Sequence, residues 1–185
     1  MQPGNIRMLY PSQAFLYDNT VLITQWHNVT YCCHRRNLKK CFTFSTVNSK
    51  QIIREKIETG KKIRIISDYD VDGVSSNYIL YQGLKRCGAD VDYKIPDRVE
   101  DGYGINEHLI EKAAGDGIDT IITCDNGIAA AEQIAYGNSL GLTLIVTDHH
   151  DIPFQRQEDG SISYNLPSAA AVINPKQKDC PYPFE

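Results

Sequence analysis

The chain has 185 residues, 42% hydrophobic and 23% charged, with a formal net charge of −4. That length holds one domain with a real core. It contains no apolar run of membrane-spanning length and no charged-then-apolar order of a secretory signal, so a reduced, cytoplasmic, non-membrane protein is expected. Residues 1–48 carry five Lys/Arg against one Asp, and residues 49–185 carry 14 against 22 Asp/Glu. So acidic a body argues against broad electrostatic nucleic-acid binding, but not against a phosphate site where a divalent metal supplies local positive charge.

Residues 1–48 lack a sustained apolar period and read as an unassigned leader, disordered or non-native. Cys32, Cys33, His34 and Cys41 match no zinc-finger spacing. Order begins at Asn48 or Ser49, either of which can cap a helix through Ile52, Ile53 and Ile57, with Gly60 as its stop. Ile63, Ile65 and Ile66 form a buried strand. Asp68, Asp70 and Asp72 follow in the turn, and Gly73 lets the backbone fold tightly. Each ionised pair among such carboxylates costs roughly 4 kcal/mol at about 4 Å and an effective dielectric of about 20. Hard oxygen donors in a loop therefore suit Mg²⁺ or Mn²⁺.

The residues after Val74 read as a second helix, through Tyr78, Leu80 and Leu84 to Cys87; then Val91, Tyr93 and Ile95 alternate as a strand ended by Pro96. Asp97 to Gly104 is a glycine-bearing loop, in which Arg98, Gly102, Tyr103 and Gly104 are candidates for holding a substrate phosphate. Asn106 caps a short helix with Leu109 and Ile110. Strand 120–124 delivers Asp125, and a helix from Ile128 to Leu140 leads into strand 142–146, which delivers Asp148, His149 and His150. After that the chain reads as loop to about Pro167, with Ala171 to Ile173 as a last strand. Near-continuously apolar strands alternating with helices predict an α/β fold: a parallel β-sheet with helices on both faces, Rossmann-like and doubly wound.

Three strands thus end in metal-competent groups, and the strand ends of such a sheet share one edge. A mixed Asp/His cluster there suits two-metal hydrolysis of a phosphodiester. His27 and His108 have no partner in sequence and read as structural or exposed.

Asp-Tyr-Asp-Val-Asp-Gly (68–73), Cys-Asp-Asn-Gly (124–127) and Thr-Asp-His-His (147–150) resemble the first three motifs of the DHH phosphoesterase superfamily. Ile95-Pro96-Asp97-Arg98, Gly102-Tyr103-Gly104, Asn174-Pro175-Lys176 and Tyr182-Pro183-Phe184 are similar to its RecJ-type single-strand-specific exonucleases. The resemblance implies that Asp68, Asp70, Asp72, Asp125 and His149 ligate Mn²⁺ or Mg²⁺, with two ions in the complete enzyme. It also implies that Asp148 supports them and that His150 touches the scissile phosphate or a metal. The implied activity is 5′-to-3′ exonuclease action on single-stranded DNA in repair and recombination. Ser67 departs mildly from the glycine usual there.

A fourth-motif Asp and further domains would lie beyond Glu185. Residues 49–185 are therefore expected to be a DHH domain incomplete at its C-terminus, weak or inactive alone. A DHH phosphodiesterase of short oligonucleotides or cyclic dinucleotides is the first alternative, although the His that such members carry before an Asp-x-Asp pair is missing at Ile66–Asp68. A non-catalytic RecJ-like subunit is the second, although none of the first three motifs is damaged.

Overall fold

Strands apolar on both faces can be buried only if helices cover both sides of the sheet, and this chain does so by reversing direction once. A computed structural model describes residues 44–178 and 180. The elements in order are α1 (Phe44–Glu58), β1 (Lys62–Ser67), α2 (Val71–Arg86), β2 (Asp90–Lys94), α3 (Glu107–Gly115), β3 (Thr120–Cys124) and α4 (Ala131–Ser139). They are followed by β4 (Thr143–Thr147), β5 (Phe154–Arg156), β6 (Ile162–Tyr164) and β7 (Ala171–Ile173).

The main sheet is parallel, in the order β2-β1-β3-β4-β7. Chain growth moves outward from β1 to β2, then returns past β1 to β3 and continues the other way. Ile63, Ile65, Ile122 and Ile145 face a core closed by Ile53 of α1 and by Leu80 and Leu84 of α2. Ile66, Ile121, Leu144 and Val146 face the opposite core, closed by Leu109, Ile110 and Ala113 of α3 and by Ile134 of α4. The doubly wound fold expected from the alternation is the fold observed. Each fully buried isoleucine contributes about 1.5–3 kcal/mol relative to exposure.

The reversal leaves a switch point between β1 and β3, where open α/β sheets bind ligands at the carboxyl ends of their strands.

Several boundaries differ from expectation. Helix α1 starts at Phe44, ahead of Asn48 and Ser49, because neither acts as its cap: Asn48 Nδ2 donates to the Ala170 carbonyl at 3.0 Å, and Ser49 is buried. Helix α4 starts at Ala131 rather than Ile128, whose amide is taken by the Asp148 carboxylate. Tyr93 is not buried. It lies on edge strand β2, half exposed, and meets Tyr81 edge-on at 5.3 Å. The stretch after His150 is not all loop, since β5 and β6 pair as an antiparallel hairpin. Among the described residues no helix is long and apolar enough to cross a membrane. Cys32, Cys33, His34, Cys41 and His27 lie outside the described residues.

Candidate metal centre

Strand register builds the centre. Ser67, Cys124, Thr147 and Ile173 are paired across β1, β3, β4 and β7. The next residue of each strand continues the row. Asp68 N–H donates to the Cys124 carbonyl, Asp125 N–H to Thr147, and Asp148 N–H to Ile173, at 3.3, 3.0 and 3.0 Å. Asp68, Asp125 and Asp148, at most 3% exposed, therefore stand side by side at the carboxyl edge. Asn174 ends the row, donating through Nδ2 to the His150 carbonyl at 3.0 Å and accepting from Lys176 N–H at 2.8 Å.

Close packing of turns against strands holds this edge. A β-carbon on Gly73 would lie 2.4 Å from the Asp68 carbonyl oxygen, so α2 can start this close to β1 only with glycine there. A β-carbon on Gly127 would meet Thr123 Oγ1 at 2.7 Å, and its φ of +103° also requires glycine. Asp125 itself has φ +63°, in the left-handed region that is uncommon for a non-glycine residue and that Asp enters more readily than most. Asn126 braces the switch point, its Nδ2 donating to the carbonyls of Ile66 in β1 and Cys124 in β3 at 3.2 and 3.1 Å. Its Oδ1 is buried without a hydrogen-bond partner. Neither Asn126 nor Asn174 is among the site residues expected from sequence.

Asp148 is an organiser. Its Oδ2 accepts the Ile128 amide at 2.9 Å, and its Oδ1 accepts the His149 amide at 2.7 Å and the His150 amide at 3.1 Å. The same Oδ1 sits 2.7 Å from His150 Nδ1. An acceptor there favours the Nδ1–H tautomer and leaves the Nε2 lone pair to bind a metal. Burial lowers the His150 pKa, but the Asp148 hydrogen bond and the charges of Asp148, Asp125 and Asp68 outweigh it, for a net rise.

His149 Nε2 lies 2.9 Å from Asp125 Oδ1. Burial pushes the Asp125 carboxyl up to about 6; His149 and His150 oppose the shift, while Asp70 and Asp148 add to it. Asp125, His149 and His150 each offer a ligand atom, all within 4.8 Å of one another. One buried carboxylate and two imidazoles suit a transition metal such as Mn²⁺, and a buried anion held against its ionisation is stabilised by a cation. The residues fit a metal ion.

The other expected ligands are placed differently. Asp68 is buried within the row, outside the three-residue group, and accepts the Tyr69 amide at 2.7 Å. Asp70 caps α2 through the Gly73 amide at 2.8 Å, yet lies near enough to raise Asp125. Asp72 is exposed in the first turn of α2, outside the three-residue group.

Arg98 packs over the Tyr69 ring at 5.4 Å, and Tyr69 meets Tyr103 edge-on at 6.3 Å. Gly102 and Gly104, with φ +76° and +70°, turn the loop that carries Tyr103. Burial, then the charges of Asp68, Asp148, Asp125 and Asp70, push the Tyr103 phenol up to about 12. It stays a proton donor at neutral pH and lies near enough to the carboxylates to feel their charge. His108 is not alone as its sequence suggested: its Nδ1 lies 3.5 Å from Asp101.

Comparisons with known proteins agree with the fold. The chain is 41% identical over 133 residues to the single-stranded-DNA-specific exonuclease RecJ of Bacillus subtilis, covering 72% of this chain and 16% of that protein. It is 34% identical over 134 residues to the Escherichia coli protein of the same name, covering 72% and 22%. It thus spans only about a sixth to a fifth of these relatives. A crystal structure of exonuclease RecJ bound to manganese superposes with a TM-score of 0.59 at 32% identity, over 70% of this chain and 30% of that one. RecJ of Thermus thermophilus in complex with Mn²⁺ shares the fold at a TM-score of 0.58 and 24% identity, over 88% and 22%. The family described as DHH family, N-terminal domain, matches residues 62–181, and the chain belongs to it.

Proposed function

We propose that this domain is the metal-binding half of a phosphodiester-cleaving enzyme of RecJ type, acting on single-stranded DNA from its 5′ end. The observation that carries the reading is the grouping of Asp125, His149 and His150 next to buried Asp68 and Asp148 on one sheet edge. The names of the similar proteins supply the substrate class.

Asp125, His149 and His150 hold one Mn²⁺ or Mg²⁺, and Asp68, Asp70 and Asp72 are the ligands proposed for a second. Such ions supply Lewis acidity that neutralises the phosphodiester and lowers the pKa of attacking water. Asp148 fixes the tautomer and aim of His150. Arg98, steadied on Tyr69, pairs with a substrate phosphate. Tyr103 donates its phenolic proton towards a phosphate oxygen, and the turns at Gly102 and Gly104 set its reach. The physiological role proposed is DNA repair and recombination in the cytoplasm.

The test is calorimetric titration with Mn²⁺ of the wild type, Asp125→Asn and His149→Ala, beside cleavage of 5′-phosphorylated single-stranded DNA. Loss of a metal's ligands or of the groups that orient them commonly costs 10–100-fold in affinity, so both substitutions are expected to weaken binding at least tenfold. Unchanged affinity in both would overturn the reading.

A further inference from the structure

Four residues beyond His150 the chain enters the β5–β6 hairpin, which the metal centre does not use. In its register Phe154 stands opposite Tyr164 and Arg156 opposite Ile162, so these four side chains share one face. Phe154, Tyr164 and Ile162 are 54%, 50% and 48% exposed, and all six strand residues are exposed. The two rings meet edge-on at 6.2 Å, which leaves ring surface open to solvent. A bare two-stranded hairpin is marginal in water, so packing in this domain does not account for an apolar face there.

We propose that this face is a stacking platform for the bases of a single strand whose phosphate lies at the metal centre. The inference rests on the function proposed above. Three observations select that occupant. First, the platform is rooted at the site. The Asn165 amide closes the hairpin base on the Pro153 carbonyl at 2.7 Å, and the preceding His150 carbonyl is held by Asn174. Four residues reach at most about 14 Å, so Phe154 lies within that distance of His150, a span of a few nucleotides. Second, the chemistry is two aromatic rings beside a guanidinium, which stacks on bases without reading sequence. Third, the size is wrong for a protein partner: six residues cannot supply the roughly 800 Å² per side of a standard interface, but they match one or two bases.

The experiment measures binding of 5′-phosphorylated oligo-dT carrying 2-aminopurine at its second or third nucleotide. Its linkages are phosphorothioates, and Mn²⁺ is present. Stacking is worth about 1–3 kcal/mol per base, so Phe154→Leu/Tyr164→Leu is expected to weaken binding about tenfold or more and to abolish the 2-aminopurine response. Tyr164→Phe, which keeps the ring, retains both. Mn²⁺ affinity by calorimetry is expected to be equal in all variants, since none touches the metal group. Strand binding unchanged in the double leucine variant overturns the platform and leaves the metal centre standing. A wild type that binds Mn²⁺ but no strand also overturns it, and one that binds neither removes the functional reading as well. Concentration-dependent dimerisation lost in the leucine variant would assign the face to a second copy and overturn the proposal.

Discussion

The two ends of the same sheet treat charge in opposite ways. Towards the amino end, carboxylates meet cations. Lys56 pairs with Asp119 at 2.6 Å and Lys61 at 3.7 Å, and Arg64 spans Asp92 and Asp116 at 2.7 and 2.8 Å. The Asp92 hydrogen bond, helped by Asp116, holds the Arg64 guanidinium above its usual pKa against burial. At the carboxyl end Asp68, Asp125 and Asp148 are buried in a row, and the groups paired with Asp125 and Asp148 are two half-exposed imidazoles rather than lysine or arginine. The first arrangement is complete in itself. The second lacks positive charge, which is the state of a site that gains its counter-charge from a ligand.

Four substitutions would break or sharpen that contrast. The largest effect is expected for Gly73→Ala, whose new β-carbon would fall on the Asp68 backbone. A loss of about 3 kcal/mol in urea denaturation is expected, and an undisturbed midpoint would show that the carboxyl edge is not tightly built. Next comes Arg64→Met, which keeps the stem but leaves Asp92 and Asp116 without their shared cation. About 1.5 kcal/mol is expected to be lost, discounted because both carboxylates are about half exposed. Asp125→Asn is expected to act with the opposite sign, raising metal-free stability by about 1 kcal/mol at neutral pH. An ionised carboxylate whose pKa is pushed up to about 6 is held against its preference, and the amide carries no charge.

The smallest effect is expected for Lys56→Met, about 0.5–1 kcal/mol, and it depends on pH. Burial alone would raise the Asp119 pKa, but the Lys56 hydrogen bond, Thr120 and the charges of Lys56 and Lys61 bring it below the ordinary value. A carboxylate with a lowered folded-state pKa contributes stability that is complete above about pH 4 and is lost as pH falls through the folded value. The wild type and the variant should therefore converge in acid-denaturation curves as pH falls below the ordinary carboxylate range. A constant gap down to about pH 2 would place the effect in packing rather than charge.

Asp68, Asp125 and Asp148 were legible because each directly follows an apolar strand, where alternation of strand and helix already implies a common edge. Strand order was not legible: only tertiary packing places β1 between β2 and β3. Asn126 was passed over because a polar residue in a turn looks solvated, and nothing local reveals that its amide bridges two strands. Asn48 and Ser49 read as caps because cap preference is local, while Asn48 bonds a residue far along the chain and Ser49 is itself buried. The hairpin escaped because strands of three residues give alternation almost no room to show, although Phe154-Gln155-Arg156 and Ile162-Ser163-Tyr164 flank a turn at Gly160.

The row at the carboxyl edge has a consequence for how the chain tolerates change in length. Its geometry is written in the count of residues along each strand, since Asp68, Asp125 and Asp148 each occupy the first position past a paired residue. Insertions in the exposed turn around Gly160 leave that count alone. Deleting one residue inside β3 would bring Asn126 to the edge in place of Asp125 and turn every following side chain to the opposite face. Changes of length are thus tolerated at the Gly160 turn and excluded, to the single residue, in the strands that end at the carboxylate row.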